Sequence, residues 1–275
     1  KIIEKFKKED FNDLLPTIID YAAGSGHFLH ESMHELQTII DEMKIENFSS
    51  DVNREISSWK IGKFKWAKNY IYGIEKDYRL AKVAKVGCYL HGDGLAQVIH
   101  GDGLDDFYKS KDYDGLLKKK SDSEKEKNNQ IFDFVISNPP YSVSAFKANL
   151  KNVFNAFGEN EHSFELYNNI TDQSSEIECL FIERTKQLLK DGGAAGIILP
   201  SSILSNAGIY TKAREILLKY FEIVAMTELG SGTFMATGTT TDILFLRRRT
   251  NYEWEHIKNS VEKFFLNHKD ITANG

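Results

Sequence analysis

Two of the chain's four prolines stand side by side at 139 and 140, one residue after a nearly continuous apolar run from Ile131 to Ser137. An apolar run of this length predicts a central strand of a parallel sheet, because such strands are covered on both faces. Proline lacks the N–H group that a central strand needs, so the chain has to leave the sheet at Pro139. In open α/β sheets, ligands bind at the carboxyl ends of the strands. The sequence therefore predicts a rigid segment, Asn138-Pro139-Pro140-Tyr141, at a ligand-binding edge.

Apolar strands alternate with amphipathic helices along the rest of the chain. The predicted strands cover residues 15–21, 69–74, 96–100, 131–137, 194–199, 222–229 and 240–247. The predicted helices cover residues 27–43, 76–90 and 176–189, with the third ending at Gly192-Gly193, and residues 214–220 close a fourth helix. Strands that alternate with helices in this way predict an α/β fold with a doubly wound, mostly parallel, seven-stranded sheet.

Three stretches interrupt this alternation. The first, residues 45–68, is polar and mixed, and we predict a helical excursion. The second, residues 112–130, contains Lys118-Lys119-Lys120 and many acids, which is typical of a solvated loop. A basic run can also contact phosphates, so both interpretations stay open. The third, residues 143–174, directly follows the tetrapeptide and is rich in Asn and Phe, and we predict a lid or a substrate-facing loop.

Composition limits the classes of protein to which this chain can belong. Its 275 residues are 41% hydrophobic, which predicts one large globular domain and argues against disorder. It has no apolar run of about 18 residues and no secretory leader pattern, so we expect a cytoplasmic protein without a membrane partner. Its two cysteines, Cys88 and Cys179, are far apart and lack CxxC spacing. We therefore expect neither a disulfide framework nor a metal site.

A glycine-rich turn, Asp20-Tyr21-Ala22-Ala23-Gly24-Ser25-Gly26, separates the first predicted strand from the first predicted helix. Small residues let a ligand approach the backbone, and a helix N-terminus offers unpaired N–H groups. Taken alone, this pattern is as typical of an ordinary tight turn. A dinucleotide-binding motif would have glycine or alanine three positions after Gly26, where Leu29 stands. Nicotinamide binding is therefore disfavoured.

Glu75 ends the second predicted strand, where doubly wound nucleotide sites keep a carboxylate for the ribose hydroxyls. It lies 49 residues after Gly26, whereas the usual separation is about 20 residues. The insert at 45–68 accounts for the excess if it loops out between helix and strand. Without a nearby ligand site, Glu75 would be an ordinary surface acid.

Asp102 follows the third predicted strand and is placed to accept the amino group of an adenosine moiety. The sequence His-Gly-Asp-Gly-Leu occurs twice, at 91–95 and at 100–104, so Asp93 is a competing candidate. We favour Asp102 because Asp93 falls at the turn before the strand, on the opposite edge of the sheet. Either Gly-Asp-Gly also fits a simple turn.

The tetrapeptide carries two hydrogen-bond acceptors and an aromatic ring. Its prolines hold the Asn138 side chain and the Pro139 carbonyl in place, and both oxygens can accept hydrogen bonds from one exocyclic amino group. Tyr141 can stack on a base, which stabilises by roughly 1 to 3 kcal/mol per base and offsets much of the few kcal/mol needed to extrude it. We predict modification of an amino nitrogen. The alternative is a rigid turn with a packed tyrosine.

Several segments together resemble the adenine-specific DNA methyltransferases. Asp20 to Leu29 resembles their S-adenosylmethionine-binding segment, Gly73 to Asp77 their ribose segment, and Phe132 to Tyr141 their catalytic strand and tetrapeptide. Tyr21 and Ala23 stand where the family usually has proline and cysteine. Later segments are similar to the modification subunits of type I restriction systems and to type IIG enzymes: Phe181 to Leu189, Gly192-Gly193, Ile197 to Pro200 and Gly238 to Leu246.

The resemblance implies the fold of class I S-adenosylmethionine-dependent methyltransferases, with S-adenosylmethionine as cofactor and N6 of a flipped-out adenine in DNA as acceptor. The implied catalytic residues are Asn138, Pro139, Pro140 and Tyr141. The implied cofactor-binding residues are Asp20, Ala22, Gly24, Ser25, Gly26, Phe28, Glu75, Lys76, Asp102, Gly103 and Asn138. Residues 1–248 would form the catalytic domain, and residues 249–275 a helical extension or linker. Two alternatives stay open: a protein-glutamine or rRNA guanine methyltransferase, which carries a similar tetrapeptide, and a non-catalytic DNA-complex subunit.

The resemblance also implies partners: a specificity subunit or a fused target-recognition domain, and a restriction endonuclease subunit as a further candidate. The net charge of −5 predicts weak DNA binding by this chain alone, because Lys and Arg normally neutralise the phosphates. The chain starts at Lys1, and charged segments begin at once. We therefore expect a piece of a longer protein that has its N-terminal helical and target-recognition parts elsewhere.

Overall fold

The computed structural model describes residues 14–44, 48–90, 96–105, 110, 112–113, 117, 131–154, 164–230, 232–234 and 238–267. Asp93 and most of the predicted loop at 112–130 lie outside the described residues. The chain divides into two compact units. The first comprises Lys1–Gly103 and Phe132–Ser137, and the second comprises Leu104–Ile131 and Asn138–Gly275.

The first unit is a parallel α/β arrangement. Its elements are β1 (Ile18–Asp20), α1 (His27–Glu42), α2 (Ser50–Ile61), α3 (Ala67–Tyr70), β2 (Ile71–Glu75), α4 (Tyr78–Leu90), β3 (Gln97–His100) and β4 (Phe132–Ser137). The strands lie in the order β3-β2-β1-β4, and each described pair is parallel. Parallel neighbours need crossover connections, and α1 to α4 supply those between β1, β2 and β3. The carboxyl ends of all four strands therefore lie at one edge of the sheet.

The first insert is part of the core of this unit. The predicted helical excursion at 45–68 contains α2 and the start of α3, and Val52, Ile56 and Trp59 of α2 are buried. The Gln37 side chain on α1 is 3% exposed, and its Oε1 accepts hydrogen bonds from the Phe64 backbone N–H and the Trp66 indole N–H, both at 3.0 Å. The insert is thus anchored to α1 by packing and by hydrogen bonds.

The second unit combines helices with an antiparallel group of strands. Its elements are α5 (Phe146–Phe154), a 3-10 helix (Glu165–Asn169), α6 (Glu178–Leu188), β5 (Leu189–Pro200), α7 (Ser202–Ser205), α8 (Ile209–Tyr220), β6 (Phe221–Leu229), β7 (Thr241–Arg248) and α9 (Asn251–Asn267). β7 lies between β5 and β6 and is antiparallel to both. Every residue of α6 is buried, so this helix forms the centre of the unit.

The described part of the chain has seven strands and helices between most of them, which confirms the predicted α/β class with seven strands. The sheet is mixed, because β7 runs against its two neighbours. α9 occupies most of the range predicted as a helical extension or linker. No helix among the described residues is both long and apolar enough to cross a membrane.

Several predicted boundaries differ from the observed ones, and contacts in the structure explain two of them. Asn69 and Tyr70, predicted as the start of a strand, belong to α3, and the Tyr70 ring packs edge-on against Trp59. The strand predicted over residues 194–199 starts at Leu189, directly after α6 ends at Leu188. The buried Arg248 guanidinium donates a hydrogen bond to the Leu189 carbonyl. A distant side chain thus takes the acceptor that a further helical turn would have used.

Candidate active site

The glycine turn after β1 has a conformation that requires glycine. Gly24 has φ 54° and Gly26 has φ 89°, in the left-handed region where a Cβ atom is strained. At Gly26 a Cβ would also lie 3.1 Å from the Ala84 Cβ. The turn is held by the Ala23 N–H, which donates to the Ile74 carbonyl at 2.9 Å, and by the Gly26 N–H, which donates to the Ala23 carbonyl at 2.8 Å. The glycine turn and β2 are therefore packed closely together.

Glu75 contacts this turn directly. Its Oε2 accepts the Gly24 backbone N–H at 2.7 Å, and its Oε1 accepts the Asp77 backbone N–H at 2.7 Å. The structure thus brings together two predicted cofactor-binding residues that are 51 positions apart in the sequence. Each carboxylate oxygen can accept two hydrogen bonds, so Glu75 can also accept a ligand hydroxyl beside these two N–H groups.

Lys76 and Asp102 also meet at this edge. Their side chains form an ion pair, with Lys76 Nζ 2.7 Å from Asp102 Oδ2. The Gly101 N–H donates to the Glu75 carbonyl at 3.0 Å, which brings the residues after β3 against the end of β2. Asp102 is half-buried and Gly103 is buried. These positions are compatible with the predicted cofactor contacts, and the roles themselves stay predictions.

Asp20 has a partner that the sequence did not suggest. Its carboxyl group is 2% exposed, and Oδ1 accepts the Ser137 hydroxyl at 2.6 Å and the Ala22 N–H at 3.0 Å. Burial raises the pKa of Asp20 to about 7, and the negative charge of Glu75 adds to the rise. Hydrogen bonds from Ser137 and Ala22 act in the opposite direction. Asp20 thus links the end of β1 to the end of β4.

The other predicted cofactor residues border the same turn: Ser25 is exposed, and Ala22 and Phe28 are half-buried. Leu29, which disfavoured a dinucleotide motif, is 1% exposed. A Cβ at Gly73 would lie 2.6 Å from Leu29 Cδ1. The Leu29 side chain therefore occupies the space that a side chain at position 73 would need. The sequence signal for this contact was a glycine inside a predicted strand, which often marks close packing.

The tetrapeptide belongs to the second unit and follows the last residue of β4. Pro139 is buried, Pro140 is exposed, and Asn138 and Tyr141 are half-buried. The Asn138 Oδ1 atom is buried and receives no hydrogen bond from any described residue. Leaving a buried acceptor without a donor costs about 1 to 3 kcal/mol. Such an atom marks a place where a ligand donor would be stabilising.

Within the described ranges, no group of three or more His, Cys, Asp and Glu side chains is arranged to hold a metal ion. The acids at the ends of β1 and β2 instead accept N–H and O–H donors of the protein, as described for Asp20 and Glu75.

A family model described as N-6 DNA Methylase matches residues 12–273 of this chain. This match covers both the glycine turn and the tetrapeptide.

Two curated relatives are proteins of restriction systems from Escherichia coli. The chain is 27% identical over 287 residues to the type II restriction enzyme and methyltransferase RM.Eco57I, covering 91% of this chain and 27% of the relative. It is 25% identical over 185 residues to the type I restriction enzyme EcoEI methylase subunit, covering 67% of this chain and 31% of the relative. The chain therefore matches only about a third or less of the length of these relatives.

Among solved structures, a putative class I S-adenosylmethionine-dependent methyltransferase from Listeria monocytogenes superposes with a TM-score of 0.55 at 19% identity. The superposition covers 91% of this chain and 58% of that structure. At this identity the likeness concerns the fold, and it shows that the predicted class I methyltransferase architecture is correct.

Proposed function

The chain belongs to the N-6 DNA methylase family, and from this membership we propose that it transfers a methyl group from S-adenosylmethionine to N6 of an adenine in DNA. The observation that carries the proposal is the buried Asn138 Oδ1 atom, an acceptor that has no donor among the described residues. The N6 amino group of an extruded adenine would supply that donor. The two prolines that follow keep the acceptor from turning away.

In this proposal the tetrapeptide orients the amino group that receives the methyl group. Asn138 Oδ1 and the Pro139 carbonyl accept the two N–H bonds of the amino group, which directs the nitrogen lone pair toward the methyl donor. Both acceptors bind more strongly as the amine acquires positive charge, so they favour the transition state over the ground state. The half-buried Tyr141 ring stacks on the extruded base.

The residues at the carboxyl ends of β1 to β3 fit S-adenosylmethionine. When bound, this cofactor supplies an electrophilic methyl group on a positively charged sulfur. Glu75 would accept the ribose hydroxyls beside the Gly24 N–H, and Asp102 would accept the adenine amino group beside Lys76, because each carboxylate oxygen can accept two hydrogen bonds. A Cβ atom at Gly24 would meet no other atom within 4 Å, so this glycine leaves the backbone open to the ligand.

We further propose that DNA recognition needs a partner, either a specificity subunit or a fused target-recognition domain. The net charge of −5 gives this chain little capacity to neutralise phosphates. The two relatives named above are both several times longer than the segment that matches this chain. A restriction endonuclease, on the same chain or on another, is a further candidate partner.

The test is a methylation assay with radiolabelled S-adenosylmethionine, in which the full-length protein is offered plasmid DNA, ribosomes and a release factor. We expect label in DNA, recovered as N6-methyladenine, and loss of that label with Asn138→Ala. Label in RNA or protein alone would instead support a guanine or glutamine methyltransferase. Calorimetry that detects no S-adenosylmethionine binding would support a non-catalytic subunit.

A further inference from the structure

Glu178 is a fully buried carboxylate at the first residue of α6. Its Oε2 accepts the backbone N–H of Ser142 at 3.1 Å, and its Oε1 accepts the Tyr210 hydroxyl at 2.8 Å. Ser142 directly follows the tetrapeptide, and Tyr210 lies in the first turn of α8. One side chain therefore connects the end of the tetrapeptide to two helices of the second unit.

Ser142 has a backbone conformation that needs support. Its φ is 56°, in the left-handed region that costs free energy for any residue with a Cβ atom. A hydrogen bond from a backbone N–H to a carboxylate is stronger than one to a neutral acceptor. The Glu178 bond thus offsets the strain at Ser142. Without it, Ser142 would relax toward negative φ and change the direction in which the chain leaves Tyr141.

The burial of Glu178 is itself unfavourable. Loss of hydration raises the pKa of its carboxyl group, and the hydrogen bonds from Ser142 and Tyr210 act against that rise. An apolar side chain would fill the same space without a desolvation cost. A carboxylate at this position is therefore useful for the two donors that it holds and not for packing.

We propose that Glu178 is a positioning residue for the tetrapeptide: it holds Ser142 in the left-handed conformation and so sets the orientation of Tyr141 and Asn138 toward the base. Glu178 does not contact the substrate; it acts through the backbone of Ser142. The inference rests on the proposed function, because the tetrapeptide orients a base only in that reaction.

Four variants separate this role from simple packing. Glu178→Ala removes both hydrogen bonds. Glu178→Gln keeps an oxygen for the Ser142 N–H, and its amide group can donate to the Tyr210 oxygen. Tyr210→Phe removes one donor and leaves the bond to Ser142. The matched control is Glu215→Gln on α8, whose carboxylate pairs with Lys212 and Lys219 of its own helix.

The first measurement is independent of methylation: hydrogen–deuterium exchange of the Ser142 amide in the full-length protein. We expect exchange at least tenfold faster in Glu178→Ala. The Glu178→Gln, Tyr210→Phe and Glu215→Gln variants, which keep an acceptor for the Ser142 N–H, should stay within about threefold of wild type. Unchanged exchange in Glu178→Ala overturns the proposal, whatever the activity. If this variant does not fold, Glu178→Asp replaces it, because its shorter side chain withdraws the acceptor from Ser142.

The second measurement is single-turnover methyl transfer to plasmid DNA, together with the calorimetric Kd for S-adenosylmethionine. We expect Glu178→Ala to slow transfer at least tenfold and to change the Kd less than twofold, with most of the rate regained in Glu178→Gln. Faster exchange without slower transfer overturns the positioning role. A wild-type protein that transfers no methyl to DNA contradicts the proposed function, and faster Ser142 exchange in Glu178→Ala then still supports the link between these two residues.

Discussion

The Ser137 hydroxyl donates a 2.6 Å hydrogen bond to Oδ1 of Asp20, joining the carboxyl ends of β4 and β1. Asp20 opens the glycine turn, and Ser137 is the residue before Asn138. The pair thus joins the glycine turn to the end of the strand that precedes the tetrapeptide. This pair has consequences for stability and for its dependence on pH.

Ser137→Ala removes one donor from a buried carboxyl group. We expect the free energy of unfolding to fall by about 1 to 2 kcal/mol, because the hydrogen bond is lost and an acceptor is left less satisfied. The pKa of Asp20 should rise further, since the Ser137 bond lowers it in the wild-type protein. Urea denaturation at pH 7 measures the first effect. A variant as stable as wild type would show that the bond contributes little.

Asp20 should make stability depend on pH. Its carboxyl has a pKa of about 7 in the folded protein, against an ordinary value of 3.8. The folded state then binds the proton more tightly than the unfolded state, so the contribution of Asp20 to stability falls as pH rises from about 4 to about 7. Asp20→Asn, which keeps an oxygen acceptor, should remove a slope approaching about 1.4 kcal/mol per pH unit.

The measurement for this prediction is the free energy of unfolding of both proteins at several values between pH 4.5 and 8. The difference between the two curves isolates Asp20 from other buried carboxyls, such as Glu183, whose pKa burial also raises to about 7. Parallel curves would contradict the prediction.

Glu75→Ala should weaken S-adenosylmethionine binding at least tenfold, because the variant loses the carboxylate for the ribose hydroxyls and the acceptor that shapes the turn at Gly24. The Kd of Glu75→Gln should lie between the values for Glu75→Ala and wild type. Calorimetry with the full-length protein and its variants gives these Kd values. The control is Asp51→Asn on α2, an exposed acid that pairs with Arg54 and should not alter the Kd. Equal affinity in Glu75→Ala and wild type would remove Glu75 from the proposed site.

Gly73→Ala should destabilise the first unit by about 1 to 3 kcal/mol through overpacking. The new Cβ would lie 2.6 Å from Leu29 Cδ1 and 3.3 Å from the Ala23 Cβ. Gly196→Ala in β5 is the matched control, since its nearest neighbour, a ring atom of Phe245, is 3.7 Å away. Thermal denaturation should separate the two variants. Similar midpoints would show that Leu29 moves aside without cost.

Asn138→Ala should reduce methyl transfer about a hundredfold, the loss typical when one preorganised hydrogen-bonding group is removed from an active site. Stability should stay the same or rise slightly, because a buried acceptor without a donor disappears. Transfer rates and urea denaturation measure the two effects separately. A variant that loses activity and stability together would instead indicate a structural role for Asn138.

Local sequence patterns predicted most of the fold. The apolar run before Pro139, the glycine-rich turn after β1 and the amphipathic spacing of α1 each depend on residues within a few positions of one another, so no tertiary information was needed. The boundary between α6 and β5 was missed because Leu189 takes its hydrogen bond from Arg248, 59 residues away. The reversed direction of β7 was not predicted, since parallel and antiparallel strands can share the same apolar pattern.

The sequence by itself determined which chemical groups are present: the rigid acceptors of the tetrapeptide, the glycine turn and the acids after the strands. Only the tertiary structure decided what those groups contact. Ser137 meets Asp20, Gly24 meets Glu75 and Ser142 meets Glu178 across separations of 117, 51 and 36 residues. Such pairs arise because parallel strands and a buried helix bring distant segments together, and no local pattern of residues encodes which donor reaches which carboxylate.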